Sequence, residues 1–124
     1  MSKRNGYNIV ITDKDKLHEI ADAVAETGIV VKAEEPIAGR ETRTILAEDA
    51  PKAGAAFADP EKNPNGYIFW KTIKKQLEPH TDAIKKVKHT YSCDTGCYTK
   101  YTTYKPENGT LTKTNEEKDN QQVR

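Results

Sequence analysis

The chain has 124 residues, with 20 Lys and Arg against 19 Asp and Glu and a formal net charge of +1. That balance excludes the charge-driven disorder of strongly charged chains and falls short of the basic excess of a dedicated nucleic-acid domain. Leu, Ile, Val and Phe total only 21 residues, but they cluster in periodic blocks, which implies a folded but thin core, for which homo-oligomerisation is a reasonable way to bury more surface.

Residues 1–6 are basic but lead into no apolar export-signal stretch. No run approaches the ~18–20 apolar residues of a membrane helix. Two cysteines, Cys93 and Cys97, are too few for a disulfide scaffold, and the default is reduced thiols. The expectation is a soluble, cytoplasmic protein with no membrane contact.

Residues 7–12 (YNIVIT) predict a first strand, with Ile9 and Ile11 on one face and Val10 on the other. A helix follows. Thr12 or Asp13 can cap it, Asp15 stands at a capping-box position, and Leu17, Ile20, Ala21 and Val24 form one apolar stripe. Glu19, Asp22 and Glu26 take the opposite side, and Gly28 supplies a left-handed stop. Residues 29–33 predict a strand that Pro36 ends or places at a sheet edge, and 43–47 predict its antiparallel return. Residues 48–66, rich in Ala, Pro and Gly, predict a long loop.

A second helix is expected after Gly66, with Phe69, Trp70, Ile73 and Leu77 on one face and Lys71, Lys74 and Lys75 on the other; a strand over 67–70 is the rival reading. Pro79 fits the first position of a third helix, with His80, Ala83, Ile84 and Val87 inward and Lys85, Lys86 and Lys88 outward. Three strands close the fold, at 89–93, 97–104 and 110–114, the last two joined by the turn signal Lys105-Pro106-Glu107-Asn108-Gly109. The fold class is α+β, mainly antiparallel, in the order β-α-β-β-loop-α-α-β-β-β. The expected domain covers 1–114, with a polar, disordered tail at 115–124.

Charge is uneven. Residues 65–105 carry eight lysines against Glu78, Asp82 and Asp94, together with Tyr67, Trp70, Tyr91, Tyr98, Tyr101 and Tyr104. Lysines neutralise phosphates or carboxylates, and rings stack on bases or pack in partner pockets. The predicted partner-binding surface is therefore Lys71, Lys74, Lys75, Lys85, Lys86, Lys88, Tyr98, Lys100 and Tyr104, with Tyr98, Lys100, Thr102 and Tyr104 on one strand face. An ordinary solvated lysine face competes with this reading.

His89, Cys93 and Cys97 could ligate zinc only if a tight turn at 94–96 brought the sulfurs together, since residues four apart on a strand lie ~13 Å apart. A disulfide between the two cysteines is a further option. No nucleophile elbow, phosphate loop or dinucleotide fingerprint is present, so no catalytic residue and no cofactor is expected.

The leading expectation is a small non-enzymatic binding or regulatory protein, such as a phage or mobile-element inhibitor, acting on a protein partner. The alternatives are a nucleic-acid binder using the same Lys/Tyr surface, and a ligand-sequestering protein or small enzyme with 48–66 as lid. An anionic partner is expected in the first two cases.

Overall fold

A computed structural model describes residues 3–33, 43–48, 68–93 and 98–120. The predicted 48–66 loop, apart from Glu48, lies outside the described residues, as do Cys97 and Tyr67. The architecture is α+β: six antiparallel strands in the order β2-β3-β1-β4-β5-β6, with two α-helices on one face. Among the described residues no helix is long and apolar enough to cross a membrane.

β1 (Lys3–Ile11) lies at the centre of the sheet, between β3 (Arg43–Glu48) and β4 (Ile84–Cys93). Its alternation is strict. Asn5, Tyr7, Ile9 and Ile11 are buried on the helix side, while Gly6, Asn8 and Val10 face the other way and are half-buried. β2 (Val30–Ala33) pairs antiparallel with β3 and is the edge strand that Pro36 suggested.

Asp13 caps the turn into α1 (Leu17–Ala25) by accepting the Asp15 N–H at 3.0 Å. Leu17, Ile20, Ala21 and Val24 are all buried. Gly28 leaves the helix with φ of 91°, a conformation only glycine adopts cheaply. The Thr27 hydroxyl donates to the Val24 carbonyl at 2.7 Å, satisfying one acceptor at the helix end.

α2 (Trp70–Leu77) buries Ile73 and Leu77 against this layer, and the Gln76 amide ties it to α1 by donating to the Ala23 carbonyl at 2.8 Å. Trp70 opens the helix, so the rival strand over 67–70 does not form among its described residues. Phe69 is also not on the buried stripe. It sits in extended backbone (φ −86°, ψ 160°) at the helix start and is 52% exposed, while Ile68 takes the core position at 1%.

Two expectations are corrected. No third α-helix spans 79–88. Pro79 opens a 3-10 turn over Glu78–Ala83 in which His80 leaves helical geometry at φ −120°, and β4 begins at Ile84. His80 therefore shares no helix face with Ile84 and Val87. The misleading signal was their three-residue spacing. A register shift pairs Ile11 with Ile84 but Val10 with Lys86, leaving Lys85 as an inserted residue. The bulge brings Ile84 and Val87 onto the same core face at helix-like spacing.

The second correction concerns the tail. β6 runs over Thr110–Asn120, past the position where composition placed the end of ordered chain. β5 (Tyr98–Glu107) offers it a full ladder, with pairs from Glu107 opposite Thr110 to Tyr98 opposite Asn120. Cross-strand contacts such as Lys100–Glu116 at 3.3 Å add to it. A backbone ladder does not require apolar side chains, so polar composition was a poor guide at a sheet edge. The Asn108-Gly109 turn has positive φ at both positions, 53° and 80°, as a two-residue hairpin with right-handed strand twist requires.

Candidate functional groove

The helices cover only part of their face of the sheet. Past the start of α2, that face continues over β4, β5 and β6 as an open groove of about 470 Å³. Its lining includes Phe69, Trp70, His89, Tyr91, Tyr98 and Tyr104, with Asn5, Lys100, Lys113 and Glu116 as polar groups.

One buried side chain sets its geometry. Tyr7, 2% exposed, donates its hydroxyl to the Ile68 carbonyl at 2.6 Å. That bond pins the segment entering α2 to the central strand and fixes where Phe69 and Trp70 stand. The rings then stack in sequence. His89 lies on Tyr7 (4.5 Å, 16°), Tyr7 beside Trp70 (6.2 Å, 29°), and Trp70 on Tyr104 (4.0 Å, 18°). Tyr91 and Tyr98 make a second, tilted pair at 5.9 Å. Aromatic contacts of this kind add about 0.5–1.5 kcal/mol each beyond area burial.

His89 is a floor residue of the groove. Its Nε2 lies 2.8 Å from Asn5 Oδ1. Burial, and secondarily the Lys100 charge, lower its pKa to about 4, which keeps the ring neutral at pH 7. Burial also raises the Tyr104 pKa, with Glu116 adding to the effect. Cys93 closes β4, and Cys97 lies outside the described residues. Among the described residues no group of three His, Cys, Asp or Glu gathers in a metal-binding arrangement.

The predicted partner surface divides in two. Tyr98, Lys100 and Tyr104 share the groove face with Thr102, as strand alternation required. Lys71, Lys74 and Lys75 are on α2, in the layer on the same side of the sheet; Lys71 and Lys75 are exposed and Lys74 half-buried. Lys86 and Lys88 flank the core residue Val87 and so point to the opposite face, where Lys88 stands 4.9 Å from the Tyr101 ring. Lys85 is the exposed residue of the bulge. The eight lysines of 65–105 thus do not converge on one patch, and Tyr101 is not with the other rings.

Sequence reasoning missed Asn5, Phe69, Lys113 and Glu116. Phe69 had a readable signal, because it falls immediately beside Trp70 on a stripe that needs only one of them. Asn5, Lys113 and Glu116 reach the groove through strand register, which the local pattern does not encode.

Within the groove the cations are already answered. Glu116 lies 3.3 Å from Lys100 and 3.9 Å from Lys113, and Lys118 rests 4.3 Å from the centre of the Tyr98 ring. The groove is therefore aromatic first and weakly cationic second. No known protein family, curated protein or solved structure matches the chain.

Proposed function

We propose that this chain is a small non-enzymatic binding protein that acts on a protein partner through the aromatic groove between the start of α2 and strands β4–β6. The observation that carries the reading is Phe69. It is a large apolar ring, 52% exposed, held at the mouth of a groove floored by stacked aromatics. Exposed rings beside a formed concavity are the usual anchors of protein–protein contacts.

Electrostatics favours a protein over a nucleic-acid strand. A phosphate backbone needs cations whose counterions it can displace, whereas Lys100 and Lys113 share Glu116 and two further lysines lie on the opposite face. A regulatory or inhibitory role follows from occupying a partner's surface without modifying it. The nucleic-acid reading keeps one supporting observation, the Lys118–Tyr98 contact beside the Tyr91–Tyr98 pair, which resembles a base-stacking platform.

Affinity capture from the native host, with and without nuclease, tests the proposal. A captured protein that survives nuclease treatment and is lost in Phe69→Ala/Tyr98→Ala supports it. Capture that disappears with nuclease, or steep weakening as salt rises, supports the alternative.

A further inference from the structure

β6 is the edge strand opposite β2 and the longest among the described residues, 11 residues, against a usual strand length of about 5–6. Thr112 to Asp119 are all exposed, and no strand among the described residues pairs with its outer edge. Long regular edges of this kind are templates for another chain unless they are blocked. The strand also forms one wall of the groove, through Lys113 and Glu116.

Its charges are sorted by face. Lys113, Glu116 and Lys118 stand opposite Tyr104, Thr102 and Lys100, on the groove side. Glu117 and Asp119 stand opposite Tyr101 and Thr99, on the other side. The groove side of the edge is thus net cationic and the other side anionic.

We propose that the outer edge of β6 takes an extended segment of a partner protein as a seventh strand, with carboxylates at the groove-facing positions beside Lys113 and Lys118 and Lys or Arg at the positions beside Glu117 and Asp119. The inference rests on the groove reading above and adds the binding mode. Main-chain hydrogen bonds to β6 supply part of the affinity, and alternate side chains are read by the two faces. Like charges placed directly across a ladder destabilise it, and opposite charges stabilise it, so the sorted faces select for a two-residue charge alternation.

The test uses random ten-residue segments displayed on phage, selected against the full chain, with the enriched peptide then titrated by calorimetry. The expected peptide alternates acidic and basic residues. Of two successive strand residues one turns its N–H toward β5 and the other outward, so Glu117→Pro and Lys118→Pro are made as a pair. The variant that loses an outward N–H should keep its melting temperature and weaken peptide binding by at least about tenfold. Amide exchange over residues 110–120 supplies a readout that survives if either proline variant fails to fold. Bound peptide should slow exchange at alternate β6 amides.

A peptide that needs Phe69 and Tyr98 but tolerates both prolines, with β6 exchange unchanged, overturns the edge inference and leaves the groove reading standing. The reverse pattern overturns the groove reading alone. No enriched segment, or tighter binding of a thymidine decamer at the same site, overturns both. A concentration-dependent dimer abolished by the proline variants replaces the partner segment with a second copy of the chain.

Discussion

The two halves of the helix-side sheet face differ in how they are covered. Over β3 and the C-terminal end of β1, the side chains are aliphatic: Ile9, Ile11, Ile45 and Ala47 join Leu17, Ile20 and Val24 of α1 in one core and are buried to 7% exposure or less. Over the far part of β4, β5 and β6, the same face carries Tyr91, Tyr98 and Lys100 in the open groove, and α2 meets its near edge through Trp70 stacked on Tyr104. Aliphatic residues gain little from remaining near water, whereas tyrosine and lysine tolerate a wet tip on an apolar body. One half holds the molecule together and the other presents a surface. Substitutions in the first should cost stability, and substitutions in the second should cost binding.

The largest effect on stability is expected from Ile9→Ala. Ile9 is fully buried on the central strand, and truncation there should cost about 2–5 kcal/mol through lost transfer energy and the cavity left behind, measured by chemical denaturation. Next comes pH. His89 titrates near 4 in the folded protein against 6.5 in the unfolded chain, so between those values the unfolded state binds more protons and stability falls as pH is lowered. The loss should reach about 3 kcal/mol by pH 4 and should be largely absent in His89→Gln.

Tyr7→Phe removes the donor to the Ile68 carbonyl and should destabilise by about 1–2 kcal/mol. It should also loosen the position of Phe69, read as faster amide exchange over 68–72. Phe69→Ala sharpens the contrast from the other side, because the ring is 52% exposed and its truncation should cost less stability than Ile9→Ala while abolishing partner capture. The smallest effect belongs to Glu116→Gln. The ion pairs it removes involve side chains about 41–55% exposed, and surface pairs contribute about 0–1 kcal/mol. Its clearer consequence should be a stronger salt dependence of any anion binding, once Lys100 and Lys113 lose their shared carboxylate.

Much of the covered half was legible in the sequence. The Leu17–Val24 stripe, the Asp13 cap, the Gly28 stop and the β2–β3 pairing follow from local periodicity and turn chemistry, and each element is made by contiguous residues. The open half was harder for a physical reason. Bulges at Lys85 and beside Thr103 shift the face of everything beyond them, so Ile84 and Val87 imitated a helix and Lys113 and Glu116 gave no sign of sharing a wall. The Tyr98-Lys100-Thr102-Tyr104 face was readable because β5 is regular over that stretch. The lysines were readable as charges but not as directions, since Lys86 and Lys88 look away from the groove only because Val87 between them looks inward.

The most direct test is capture from nuclease-treated host extract by three versions of the full chain: wild type, Phe69→Ala/Tyr98→Ala, and Lys86→Ala/Lys88→Ala. The account predicts that a partner protein retained by the wild type is lost with the first variant and kept by the second. Equal capture by the wild type and the Phe69→Ala/Tyr98→Ala chain, or loss only with Lys86→Ala/Lys88→Ala, would contradict the claim that the aromatic groove is where this protein meets its partner.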